Sequence, residues 1–312
     1  MKDLSQNRIR RDFGASLVLL GLLALVPAVM ANPYWLGVLI VSMYFALLAA
    51  GWNLLAGYAG QFSMAPATFG MIGAYVTGLL SYHWHAPPWI GIPAAIVVAA
   101  AVGMALGRIV MRLRGPYLAL TTLSFAEIMR LVIGYSYDFT RGDLGLNVPG
   151  LFDSRIGWYY LFLAVVAVVQ LALYALLKSR AGLYLQAIRD DEVAASSRGV
   201  DVVFWKTAAF TISTAISGLA GALYGHFSQL VSPELGLVLQ TGLVICMVFI
   251  GGIGSLIGPI AGAFIVYVSS EALREVGGIQ LIVFAVLVIL IARFFREGLW
   301  GLARRLLERN SA

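Results

Sequence analysis

The chain has 312 residues, of which 61% are hydrophobic and only 12% charged. A soluble domain usually carries about 25% charged residues, so a surface facing water on all sides is excluded and lipid must cover much of the protein. The net charge of +6 is gathered in short clusters between apolar runs, the pattern of membrane topology rather than of a nucleic-acid-binding face.

Runs approaching the roughly 20 apolar residues that a helical span needs fall near 14–31, 35–56, 64–82, 89–110, 117–137, 158–177, 207–228, 237–256, 258–275 and 279–295. Backbone groups in lipid must be bonded within their own segment, so the pattern predicts an all-α, polytopic transmembrane helical bundle of about ten spans, in one domain over residues 1–312. The short alternating strands of a membrane barrel are not apparent. The first run follows Arg8, Arg10 and Arg11 and ends Val29-Met30-Ala31, a form that also suits a cleavable signal. Retention is the expectation, because a multispan chain needs no removable leader.

After the second run comes Gly57-Tyr58-Ala59-Gly60 with Pro66, accompanied by Asn53, Gln61 and Ser63. Such a segment reads as a broken helix whose freed backbone lines a substrate cavity, or as a glycine-rich interface between helices. His83 and His85 flank Trp84 just ahead of Pro87 and Pro88, which predicts an interfacial turn rather than metal ligands. His226 stands apart from them, and the single Cys246 lies in an apolar run, so neither a metal site nor a disulfide is expected.

On the fifth run Glu127 and Arg130 share one helical face. Charge inside a membrane is a functional hypothesis by default, although a neutralised pair facing the bundle interior also serves structure. Thr121 and Thr122, one turn earlier, suit either the substrate path or helix contact. The stretch 138–157 is rich in turn residues, and Glu234 falls on a short loop of the same side, where it meets either an external binding protein or water.

The segment 178–206 is the most informative. Asp190 or Asp191 is placed to cap a short helix, Glu192 lies in its first turn, and Gly199 is placed to end it in a left-handed conformation. The result is a helix of about eight residues, roughly 12 Å long, with the low profile of Ala194, Ala195, Ser196 and Ser197. It suits a groove on another protein, and equally a solvated connector.

Seventeen of the 21 lysines and arginines fall on the side that holds this segment and both termini, which predicts cytoplasmic ends. A phosphate-binding loop requires Gly-Lys-Ser/Thr. None of the three lysines, Lys2, Lys178 and Lys206, follows a glycine. A nucleotide site of that type is excluded, and no nucleophile and base recur at usable spacing, so no catalytic residue is predicted. Any ATP dependence must come from a partner.

Glu192, Ala194, Ala195 and Gly199 resemble, with an extra Val193, the loop by which permeases of ATP-binding-cassette importers dock on their ATPases. Ala50-Gly51-Trp52-Asn53-Leu54-Leu55-Ala56-Gly57, Arg114-Gly115-Pro116-Tyr117 with Phe125-Ala126-Glu127-Ile128, Gly218-Leu219-Ala220-Gly221, Val231-Ser232-Pro233-Glu234 and Gly251-Gly252-Ile253-Gly254-Ser255 narrow the resemblance, over about residues 40–275, to the branched-chain amino acid permeases of the LivM type. Arg141 departs from the pattern, where a glycine is expected. The resemblance implies a bacterial inner-membrane complex: a second, related permease chain, two ATPase subunits that bind ATP and magnesium, and a periplasmic substrate-binding protein. This chain would bind no cofactor itself. Asp190, Asp191, Glu192, Ala194, Ala195 and Gly199 would then form the coupling element, Asn53, Gln61, Ser63, Thr121, Thr122, Glu127 and Arg130 the candidates for the path, and Glu234 the contact to the binding protein. Urea, amide or aromatic-acid importers, and an ion-coupled secondary transporter with Glu127 carrying protons, are the competing readings.

Overall fold

The computed structural model describes residues 2–29, 32–113, 115–273 and 298–301. The described chain is almost wholly helical: α1 (Lys2–Val29), α2 (Pro33–Asn53), α3 (Pro66–Trp84), α4 (Pro88–Val110), α5 (Pro116–Tyr135), α6 (Tyr137–Thr140), α7 (Arg155–Lys178), α8 (Arg180–Asp190), α9 (Glu192–Ser197), α10 (Val202–Ser228), α11 (Val238–Gly251) and α12 (Gly258–Ala272). Among the described residues, six helices are long and apolar enough to cross a membrane. The run expected over 237–256 is a helix of 14 residues, because the glycines at 251–254 interrupt it, and the run expected over 258–275 starts where expected and is helical for 15 residues, to Ala272. The run expected over 279–295 lies outside the described residues.

Starts and stops follow local chemistry. Proline opens α2, α3, α4 and α5, where its missing N–H has no helical partner to lose. His85 adopts the left-handed conformation after α3, so the His83–Pro88 turn falls where the sequence places it.

α2 forms the centre of the bundle, with α7, α10, α11 and α12 around it and α3 close by, while α1 packs on α7. α10 crosses α3 and α4 on small residues. Ala95, Ala99, Gly103 and Gly107 recur every fourth position on the buried face of α4. A side chain at Gly73 of α3 would run into the backbone of Gly218 in α10. This is the close approach that small residues permit between membrane helices.

Contacts gather the connecting segments at two ends. At one end, β1 (Leu146–Asn147) pairs antiparallel with β2 (Leu230–Val231), in the register Leu146 to Val231. Fully buried His226 ties this loop to the bundle. Its Nδ1 donates to the Pro149 carbonyl at 2.8 Å, leaving Nε2 to accept from the Thr77 hydroxyl at 2.8 Å. At the other end lie α8, α9 and the junction between α2 and α3.

Candidate functional site

α2 does not run directly into α3. After Asn53 the backbone widens into one π-helical turn, Leu54–Tyr58, and then leaves helical geometry until Pro66. A second break separates α11 from α12 at residues 252–257. The two breaks touch. A Cβ added at Gly57 would sit 2.6 Å from the amide nitrogen of Gly254 and 2.9 Å from its Cα. Only a residue without a side chain fits there.

Irregular backbone at membrane depth requires partners for its amides and carbonyls, and buried side chains supply them. Asn53, 2% exposed, uses both ends of its amide: Nδ2 donates to the Ser255 carbonyl and Oδ1 accepts from the Gly254 N–H, each at 2.8 Å. Trp52 Nε1 donates to the Ser63 carbonyl at 2.7 Å, and Gln170 Nε2 of α7 to the Leu256 carbonyl at 3.2 Å. The hydroxyl of Thr122 accepts from the Met64 N–H at 2.9 Å. Gln61 folds back through its amide N–H to the Leu55 carbonyl and through Nε2 to the Ala59 carbonyl, and Ser63 Oγ accepts from Ala65 N–H.

The sequence-predicted path residues therefore fall into two groups. Asn53, Gln61, Ser63 and Thr122 are buried and meet at the breaks. Thr121, Glu127 and Arg130 lie on the outer side of α5. Thr121 is spent on its own helix, donating to the Tyr117 carbonyl. Glu127 and Arg130 do pair, with Arg130 Nε 3.1 and 3.2 Å from the two carboxylate oxygens. They are not enclosed by this chain, however: their side chains are 41% and 26% exposed. The interior-facing alternative is thus corrected. The fully buried residues of α5 are few, Leu118, Thr122, Ala126 and Ile133, with Phe125 and Met129 packed beside them against the core.

The segment 178–206 is not one short helix in a loop. α7 ends at Lys178, Ser179 caps α8, and α10 begins at Val202, five residues before its expected start. α9 has six residues rather than about eight, because Asp190 closes α8 instead of capping α9. The cap is Asp191, whose Oδ1 accepts from the amides of Val193 and Ala194 at 2.9 and 3.0 Å. At the far end Gly199 takes φ +83°, while its N–H and that of Val200 bond back to Ser196 and Ala195. That pair of hydrogen bonds is a Schellman ending, which glycine adopts without steric penalty. Ala195 packs with Ile188 and Val202, and Glu192 pairs at 2.7 Å with the Nζ of Lys206, a side chain only 1% exposed. α9 is therefore anchored to the base of α10. Its other face, with Val193, Ala194, Ser196 and Ser197, is exposed. Glu234 is exposed at the opposite end, in the short turn Pro233–Gly236.

Sequence reasoning passed over Lys206, Gln170, Trp52 and, above all, Arg189. Arg189 of α8 donates from Nη1 to the carbonyl of Gly57 at 2.9 Å. A lysine directly after Phe204 and Trp205 at the start of an apolar helix was a usable signal. The arginine was not, because it looks like one of several basic residues near a membrane face.

A bundle of apolar helices with two interlocked breaks and a capped, outward-facing pair of short helices is the construction of a membrane permease. Residues 34–292 match the family model described as the branched-chain amino acid transport system / permease component. The chain belongs to this family. It is 32% identical over 301 residues to the high-affinity branched-chain amino acid transport system permease protein LivM of Salmonella typhimurium, covering 87% of this chain and 71% of the relative. It is 27% identical over 265 residues to the permease protein LivH of Escherichia coli K12, covering 77% and 84%. The fructose import permease protein FrcC of Rhizobium meliloti is 29% identical over 222 residues, covering 66% and 61%. No solved structure matches the chain.

Proposed function

We propose that the chain is the membrane permease subunit of an ATP-driven importer for branched-chain or other hydrophobic amino acids in the bacterial cytoplasmic membrane. The family match carries the reading, since it runs over both helix breaks and the α8–α9 element together. In this reading ten spans place both termini in the cytoplasm, in keeping with the clustering of basic residues beside α8 and α9. α9, held by Asp191, Glu192 and Gly199, presents its exposed face to one of two separate ATPase subunits that bind ATP and magnesium. Asp190, Ala194 and Ala195 complete the element. Glu234, at the far end, meets the substrate-binding protein.

A second permease chain covers α5. An ion pair half-exposed on a helix of membrane-spanning length is unfavourable against lipid, so protein or a water-filled path is its fitting neighbour. Relatives carry two names, LivM and LivH, which supports a pair of related rather than identical chains. The path then runs between α5 of this chain and its partner, with the backbone breaks at its inner end. A relative named for fructose supports leaving the choice of substrate to the binding protein.

The test is ATP-driven uptake of leucine by the chain reconstituted with its co-purifying partners. Uptake that needs both ATP and the ATPase subunits is expected. Accumulation of leucine by the chain alone in vesicles would refute the assignment. Glu192→Ala with Gly199→Val is expected to release the ATPases from the complex, and retention at full stoichiometry would remove α9 from the docking role.

A further inference from the structure

The carbonyl of Gly57 is an orphan created by the break. In an uninterrupted helix it would accept from the amide of Gln61, but that amide turns back to the Leu55 carbonyl at 3.0 Å. Its partner comes instead from Arg189, 132 residues further along the chain. The guanidinium is held from the other side by the carboxylate of Asp190, at 3.2 Å from Nε and 3.1 Å from Nη2. Asp190 ends α8, and the next residue is the cap of α9. No flexible linker therefore separates the exposed face of α9 from the carbonyl of Gly57.

The contact continues inward. Gly57 lies against Gly254, and Asn53 binds both Gly254 and Ser255, so the two breaks are joined one step beyond Arg189. The backbone of Arg189 is pressed on Gly60 as well, where a Cβ would stand 3.2 Å from the arginine Cα. Beside this junction opens a cavity of about 590 Å³, lined among others by Gln61, Pro116, Leu118, Arg189 and Lys206. It leaves room for α8 to move relative to the start of α5.

We infer that Arg189 is the positioning residue through which displacement of α8–α9 reaches the substrate path, by pulling on the carbonyl of Gly57 and, through it, on both helix breaks. The inference rests on the coupling role proposed above for α9. A planar fork suits the task, because one side chain engages the carboxylate of its own helix and a carbonyl of another. Coupling between distant sites requires such a contiguous set of packed and bonded groups.

The experiment uses the complete importer in proteoliposomes, with leucine uptake and ATP hydrolysis measured on the same preparation. In R189A the ATPase subunits are expected to co-purify in the parental ratio while leucine moved per ATP hydrolysed falls by about tenfold or more, the scale of a lost charged hydrogen bond. R189K, which keeps the charge without the fork, is expected to give an intermediate ratio. An unchanged ratio in R189A overturns the inference, and so does loss of the ATPases, which would make Arg189 a docking residue. If R189A yields no folded permease chain, R189K and D190N decide: a lowered ratio supports the link and a parental one overturns it. Failure of the importer reading itself looks different, because the parental chain then shows no ATP-driven uptake at all.

Discussion

α2 and α5 have similar length and both are apolar enough to cross a membrane, yet the protein treats them in opposite ways. In the most apolar stretch of α2, 89% of residues are buried within the chain, against 22% in α5. α2 turns buried Ser42 onto its own helix and carries Asn53 at its end, where it serves the backbone of another break. α5 carries a charged pair along its outer face. Hydropathy alone does not say which of the two is enclosed, since lipid and a packed core accept the same side chains. What separates them is the destination of the polar atoms. Those of α2 are enclosed by the chain, as is Thr122 of α5, whereas the charged pair of α5, bonded only to itself, stays partly exposed.

The contrast is sharpest at Gly57. Gly57→Val places a branched side chain where the backbone of Gly254 already lies, and overpacking against backbone has no cheap relaxation. The expected outcome is loss of folded protein, read as absence of a monodisperse peak in detergent. A well-folded variant would show that the two breaks do not interlock. Asn53→Ala comes next. It leaves the Gly254 amide and the Ser255 carbonyl unpaired in the interior, at about 1–3 kcal/mol for each group. A lower thermal unfolding temperature with an otherwise intact chain is expected, and an unchanged temperature would show that water or a relaxed backbone replaces the amide.

The Gly57–Pro66 segment as one of two readings, the His83–Pro88 turn and the caps at Asp191 and Gly199 were legible in the sequence, because each is a local demand on backbone geometry that few residue types meet. The meeting of the two breaks was not. Residues 53 and 254 are brought together by the packing of α2, α11 and α12, and no local pattern encodes that. Asp190 and Asp191 show the limit of cap reading: either carboxylate suits a cap, and only the length of α8 decides which one is used. Arg189 was hidden for a related reason. Its partner is a main-chain carbonyl freed by the π turn, which leaves no trace in side-chain spacing.

On α5 smaller effects are expected, and in the complex rather than in the chain. Glu127→Gln leaves Arg130 without its counter-charge on a membrane-spanning helix. Pairing with the second permease is expected to weaken, measured as loss of that chain on co-purification, and the exchanged pair E127R/R130E is expected to recover most of it. If the single variant holds its partner as well as the parent does, the pair faces neither the second chain nor the path.

Ile128→Ala completes the series with the smallest change. Ile128 is 58% exposed in this chain and stands between the two charges. Truncating it should alter the stability of the isolated chain by no more than about 0.5 kcal/mol, as for a surface position without special contacts. If a second permease covers α5, the same truncation removes buried apolar contact from the interface and weakens pairing by about 1 kcal/mol or more. Titrating the two permeases against each other in detergent would separate these cases. A shift in pairing without a shift in the unfolding of the lone chain assigns this face to the partner. Equal and negligible changes in both would assign it to lipid, and would leave the charged pair beside it needing a water-filled path of its own.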